Sequence, residues 1–444
     1  MTGGGESTAP EASSRGEKWG WYFYDWANSA FYTTVVTVLF GPYLTSLARR
    51  AAEPGGFVRL AGWRIHPQSV WPYAIAVSVI LQVVALPVLG AIADYGRRKR
   101  EMLAAFAYAG AAATVAMYWL EGSSYRAGCL LFLIANLSFG ASVVIYNSFL
   151  PEIATAEERD DVSSKGWGFG YLGGGILLAL NLWMYSSASR LGITEGQAVR
   201  ISFASAGLWW ALFTLIPVKT LRNRRPRKTA AAGETYLMTG LRQLRHTLGQ
   251  VREYPQTLRF LVAYLIYNDA IQTVIALAAQ FGSEELHLPI SVLTGAILLA
   301  QFVAFFGAML FGWIARALGN QRAVMVSLLI WSATLVYIYV SVTTAGQYYA
   351  MAGVIGIVLG GSQALSRSIF SLMIPKGQEA EYFSVYEISD KGTSWIGPLF
   401  FGLALQLTGS YRTAVLSLIL FFIAGLILLA RVDVRRAALE AGRE

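Results

Sequence analysis

The chain has 444 residues, of which 55% are apolar and only 14% charged, and its formal net charge is +9. A soluble domain carries roughly 25% charged residues, so this balance excludes an ordinary water-facing globule and implies a lipid-facing surface, where charge is costly. The surplus of Lys and Arg calls for no nucleic-acid partner, because helix topology and anionic lipid headgroups account for it.

Residues 1–18 are polar and rich in Gly, Ser and Glu, and read as a disordered cytosolic tail with no signal peptide before the first span. Apolar runs follow near 21–47, 70–93, 102–120, 127–149, 165–186 and 200–218. A second set lies near 257–281, 290–315, 323–341, 346–370, 384–406 and 411–430. Each is close to the ~20 residues that cross a bilayer as a helix. The expected fold is therefore an all-α membrane protein of twelve transmembrane helices in two pseudo-symmetric six-helix halves.

The longest polar stretch, 219–255, contains Lys219, Arg222, Arg224, Arg225, Arg227 and Lys228 and marks the boundary between the halves. It divides the chain into an N-terminal bundle over 19–218, a basic cytosolic linker, a C-terminal bundle over 256–431 and a cytosolic tail over 432–444. With both termini inside, most Lys and Arg fall on the cytosolic side, as the positive-inside bias demands. The first outside loop is the exception, since it holds Arg49, Arg50, Arg59 and Arg64.

Three correspondences link the halves. Asp25-Trp26-Ala27-Asn28-Ser29 and Asp269-Ala270-Ile271-Gln272-Thr273 share the order acid, two spacers, amide, hydroxyl. Gly90-x-x-x-Asp94-x-Gly96-Arg97-Arg98 after the second run matches Gly312 to Arg322 after the eighth, with Arg316 in place of the acid. Ser163-Ser164-Lys165-Gly166 and Ser389-Asp390-Lys391-Gly392 open the fifth and eleventh runs. Each match is weak alone. Their common order points to duplication, a plan that many secondary transporters share.

These features resemble the major facilitator superfamily. More specifically, Tyr24-Asp25-Trp26-Ala27-Asn28-Ser29-Ala30-Phe31 resembles the opening of the vacuole-effluxer family, related to autophagy-related protein 22 of fungi. Tyr146-Asn147-Ser148-Phe149-Leu150-Pro151-Glu152, Gly170-Tyr171-Leu172-Gly173-Gly174-Gly175 and Gly361-Ser362-Gln363-Ala364-Leu365-Ser366-Arg367-Ser368 agree with it. The resemblance implies a permease fold and, for fungal members, export of amino acids from the vacuole. It does not fix the solute of bacterial members.

The residues themselves suggest chemistry. Asp25 is expected one to two turns inside the first helix, facing protein or a water-filled cavity. Desolvation there favours the neutral carboxyl, which suits proton binding. Asn28 and Ser29, one turn on, offer hydrogen bonds to a solute or to the facing helix. Asp269, Gln272 and Thr273 offer the same from the seventh helix. The structural alternative for both sets is an interhelical lock. Arg367 is placed either to clamp a carboxylate or phosphate or to pair with Glu387 or Asp390.

Gly90, Asp94, Arg97 and Arg98 read as a conformational latch, or as topology-setting charge. Lys165 and Lys391 stand at expected helix N-termini, where the dipole disfavours cations, and are assigned a gating role. Gly166, Gly168, Gly170 and Gly173–Gly175 suit close helix approach.

Other chemistry finds no support. Cys129 alone rules out an internal disulfide, and His66, His246 and His287 lack metal-ligand spacing. The sequence contains neither a phosphate-binding loop nor a serine-histidine-acid constellation. The expectation is a multi-pass secondary transporter of a bacterial plasma membrane, monomeric and neither an enzyme nor a holder of cofactor or metal. Its partners are a small polar solute, an amino acid first, a coupling proton and the bilayer. A sugar or organic-anion transporter is the alternative, followed by a non-transporting receptor or scaffold.

Overall fold

A computed structural model describes residues 15–60, 62–95, 98–154, 159–224, 254–373, 386 and 395–441. Each of the twelve apolar runs lands on a helix among the described residues, which for the eleventh run are 386 and 395–406. In the first half these are α1 (Arg15–Arg50), α2 (Val70–Tyr95), α3 (Lys99–Ala116), α4 (Tyr125–Asn147), α5 (Arg159–Ser186) and α6 (Glu195–Thr220). In the second they are α7 (Pro255–Glu284), α8 (Ile290–Leu318), α9 (Asn320–Val340), α10 (Ala345–Leu372), α11 (Ile396–Thr408) and α12 (Tyr411–Ala430). A short α13 (Val434–Glu440) follows. Among the described residues, nine helices are long and apolar enough to cross a membrane. The linker expected over 219–255 lies outside the described residues from 225 to 253, as do Arg97, Glu387, Asp390 and Lys391.

Local chemistry sets several helix ends. Thr194 opens α6 and Thr344 opens α10 with a reciprocal capping box, completed by Gln197 and Gln347 respectively. Gly409, at φ 67°, ends α11 in the left-handed conformation that glycine adopts without a Cβ penalty. Two helices begin earlier than hydropathy suggested. α1 starts at Arg15 and α5 at Arg159, because polar and charged residues extend each helix beyond its apolar run. Lys165 is therefore an exposed residue of the second turn of α5 rather than its N-terminus, which removes the dipole argument made for it.

The outer surface of α8 carries the exposed side chains of Phe302, Phe306, Met309 and Trp313. Such a stripe belongs against lipid, not water. Its opposite face packs on α10 at backbone distance: a Cβ on Gly360 would lie 2.0 Å from the carbonyl oxygen of Ala304. Close approach of this kind is the use of small residues that membrane helices favour.

The helix ends fall on two faces. Both Arg15 and α13 lie at the terminal face, where Gln256 at the start of α7 accepts from the Asp433 amide at 3.0 Å. The opposite, distal face carries the hairpin β1 (Val58–Leu60) and β2 (Trp63–Ile65), with Val58 paired to Ile65. Midway along, α1 switches to π-helical geometry over Phe31–Leu39, where Phe40 N–H donates to Val35 O across five residues. This stretch starts two residues after Ser29. π segments inside α-helices recur at functional sites.

Candidate functional site

Asp25 sits ten residues into α1, about 15 Å from its first residue, deeper than the one to two turns anticipated. Its Oδ2 accepts a hydrogen bond from the Tyr146 hydroxyl of α4 at 3.0 Å. Tyr146 is held in place by stacking on Trp21, with ring centroids 4.3 Å apart, and by Trp21 Nε1 donating to its carbonyl at 3.1 Å. The third wall is α5. A Cβ on Gly166 would fall 3.0 Å from Asp25 Oδ2, and one on Gly170 would fall 2.8 Å from Ser29 Oγ. Four of the six α5 glycines, Gly166, Gly170, Gly173 and Gly174, thus admit α1, whereas Gly168 and Gly175 face open space.

The second half treats its aspartate differently. Asp269 is 1% exposed, and its Oδ2 accepts from the Gly397 amide of α11 at 2.7 Å. Its Oδ1 is buried without a hydrogen-bond partner. Thr273 donates back to the Asp269 carbonyl at 2.6 Å, so its hydroxyl is used within its own helix. The Asp269 contact thus joins α7 to α11, whereas the Thr273 hydroxyl bond stays within α7. Gln272 points the other way, and its Oε1 accepts from the Tyr32 hydroxyl of the first half at 3.4 Å. Asn28 is 3% exposed, and its Nδ2 is buried without a partner.

Arg367 on α10 reaches across to the first half, where its guanidinium carbon lies 5.9 Å from the centroid of Trp167 on α5. Trp167 is next in sequence to Gly166, the glycine whose added Cβ would fall 3.0 Å from Asp25 Oδ2. An acid of one half and a base of the other thus flank the Gly166-Trp167 step of α5. The same part of α10 contributes Gln363, which donates to Asn268 Oδ1 at 2.8 Å, and Ser366, 2.6 Å from the Tyr267 hydroxyl.

The expected latch is only partly described. Gly90 packs against Val144, and Arg98 is exposed. Asp94 lies in the last turn of α2, and its side chain is outside the description. Among the described residues, charge contacts at this face involve Lys99, next to Arg98. Lys99 Nζ meets Glu152 Oε1 at 2.8 Å, and Arg224 bridges Glu17 at 3.0 Å and Glu152 at 3.8 Å. Glu17 is 1% exposed. Sequence reasoning missed this cluster because its four members lie on four separate segments. The proximity of Glu152 to the Tyr146 motif was the one available signal.

At the distal face the halves are tied together. Gln280 Nε2 donates to Thr45 Oγ1 at 2.9 Å and to the Gln68 carbonyl at 2.8 Å. Arg49 pairs with Glu284, and the His66 amide donates to Gln406 Oε1 at 3.1 Å. The charged boundary at Asp25 and Arg367 lies on the terminal side of this seal.

The vacuole effluxer Atg22-like family model matches residues 13–442. The chain belongs to that family. This Atg22-like chain is 30% identical to the uncharacterized MFS-type transporter YxiO of Bacillus subtilis over 92% of its own length and 93% of the relative's. It is 27% identical to autophagy-related protein 22 of Eremothecium gossypii, over 95% and 92% respectively. In structure it resembles a mutant of the nucleoside transporter NupG, with TM-score 0.69, 12% identity and coverage of 94% and 99%. It also resembles a D-xylose-proton symporter, with TM-score 0.64, 12% identity and coverage of 94% and 95%. These likenesses establish the major facilitator fold. The Atg22-like chain is a multi-pass membrane transporter of that type, not an enzyme.

Proposed function

We propose that the chain moves a small zwitterion, with an amino acid as the leading case, by alternating access between bundles bounded near residues 218 and 256. The observation that carries this reading is the pair of opposite charges that flank the Gly166-Trp167 step of α5, Asp25 from one half and Arg367 from the other. An ammonium group suits the Asp25 carboxylate beside Tyr146. A carboxylate suits the planar, multiply donating guanidinium of Arg367. Asn28, with its buried and unpartnered Nδ2, supplies a further donor from α1. Opposite charges on opposite halves also give the solute a reason to draw the halves together.

A coupling proton has two candidates, Asp25 beside Tyr146 and Asp269, whose buried Oδ1 has no hydrogen-bond partner. Lys165, Glu387, Asp390 and Lys391 are assigned to the terminal-side gate together with the segment Gly90 to Arg98. We place both termini in the cytoplasm of a bacterial cell and the distal seal outside, and take the working unit as a monomer. Membership of a family of vacuole effluxers favours export. Similar proteins of this fold are named for nucleosides and xylose. A second reading is therefore a neutral polyhydroxyl solute held by the amides Asn28, Gln272 and Gln363.

A ligand panel tests the reading. Purified protein is heated with amino acids, nucleosides or sugars, and the melting temperature is recorded. Stabilisation by amino acids, lost in Arg367→Gln, is the expected result. Stabilisation by nucleosides or sugars alone would reject the zwitterion reading.

A further inference from the structure

The four arginines that break the positive-inside pattern in the first distal loop are not used by the central site, and two of them share a destination with a third arginine, Arg126. Arg50 at the end of α1, Arg59 on β1 and Arg126 in the first turn of α4 line a polar cavity of about 400 Å³, together with Ser123, Tyr125 and Glu53. Glu53 neutralises one of them, through Arg59 Nε at 2.8 Å. Two positive charges remain, and Arg50 carries no hydrogen bond or ion pair among the described residues.

The cradle is tied in place. The buried Tyr125 donates its hydroxyl to the Arg59 carbonyl at 2.6 Å, and Arg126 donates to the same carbonyl at 3.1 Å and to the Tyr125 hydroxyl at 3.1 Å. The loop closes on itself where Glu53 N–H donates to Phe57 O at 2.9 Å. The wall formed by Ser123, Tyr125 and Arg126 is also the N-terminus of the 23-residue helix α4, whose N-cap Ser124 makes no side-chain cap. Its first amides and its dipole favour an anion. Three arginines from three elements and an uncapped helix end therefore converge on one space.

We propose that this cradle binds a phosphate-bearing anion, either the headgroup of a lipid in the adjoining leaflet or a soluble phosphate ester. Guanidinium forks match phosphate oxygens bidentately. The depth of Arg50 and Tyr125, both at helix ends, puts the cradle at headgroup level.

Full-length protein in phosphatidylcholine nanodiscs is titrated with glycerol 3-phosphate at low and high salt. In parallel, detergent-purified protein is exposed to phosphatidylglycerol, and bound lipid is counted by native mass spectrometry. Arg50→Gln is expected to weaken binding roughly two- to fivefold, and Arg50→Gln/Arg59→Gln/Arg126→Gln more than about tenfold, as for exposed charge contacts that act together. Binding should also fall with salt. A response to the ester alone identifies a soluble ligand, and a response to the lipid alone identifies a headgroup site. Binding absent in both arms, or equal in wild type and Arg50→Gln, overturns the proposal. Arg50 is exposed and makes no hydrogen bond or ion pair among the described residues, so its single variant decides the matter even where the triple variant does not fold. Neither arm measures transport, so failure here leaves the zwitterion reading untouched.

Discussion

The Tyr146 hydroxyl donates to Asp25 Oδ2 at 3.0 Å, whereas the matching acid of the second half, Asp269, is bound by the Gly397 backbone amide. A side chain that can rotate away leaves Asp25 adaptable. A backbone amide does not rotate away. On the proposed function, the two copies of one motif have diverged into a site and a lock.

Removing the Tyr146 hydroxyl should therefore act on transport more than on folding. A hydrogen bond to a charged group contributes about 1.5–3 kcal/mol, so Tyr146→Phe should weaken solute affinity by roughly ten- to a hundredfold. The ring would still stack on Trp21, and the melting temperature should hardly move. Binding assays and thermal unfolding on the same preparation check both halves of this statement.

The lock predicts the reverse pattern. A Cβ on Gly397 would meet Thr273 Oγ1 at 2.2 Å and Asp269 Oδ1 at 3.1 Å, so Gly397→Ala should destabilise by about 1–3 kcal/mol. Adding Thr273→Ala removes the nearest clashing atom and should restore part of the loss. Denaturation of the single and double variants measures this coupling, and strict additivity would contradict it.

Glu17 depends on a partner at the terminal face. Arg224→Ala would strip the Arg224 contact from a carboxylate that is 1% exposed, at a cost of about 3 kcal/mol. Glu17→Gln in the same background should recover stability, because a neutral amide tolerates burial better than a charge. Thermal melts of the three proteins are sufficient.

The distal seal makes a prediction about access. Gln280→Ala removes two hydrogen bonds between the halves, and Arg49→Gln weakens the pair with Glu284. Together they should bias the protein toward opening at that face. A membrane-impermeant thiol reagent applied to the distal side should then label Gln272→Cys faster than it does with the seal intact. The native Cys129 is buried and gives little background.

The fold was legible because lipid imposes long apolar runs with no alternative use, and among the described residues each of the twelve runs carries a helix. The seven proposed solute-binding residues were found as motif members, yet the sequence could not separate their roles. Asp25 and Asp269 carry the same local pattern, and only Tyr146 on α4 and Gly397 on α11 distinguish them. The same holds for Arg367, whose neighbour Trp167 lies 200 positions away in sequence. The cluster Glu17, Lys99, Glu152 and Arg224 was missed because no local pattern joins four distant segments. Helix starts erred toward the apolar core of each run, since Arg15–Lys18 and Arg159–Asp161 are helical without being hydrophobic.

The most direct test of the central claim is flux into proteoliposomes of a labelled amino acid and of two analogues, its amide and its N-acetyl derivative. Wild type should carry the zwitterion and discriminate against both analogues. Asp25→Asn should lose discrimination against the N-acetyl form, which lacks the ammonium, and Arg367→Gln should lose it against the amide, which lacks the carboxylate. Equal flux of all three compounds through wild type, or variants that discriminate as wild type does, would contradict the pairing of Asp25 and Arg367 around a zwitterion.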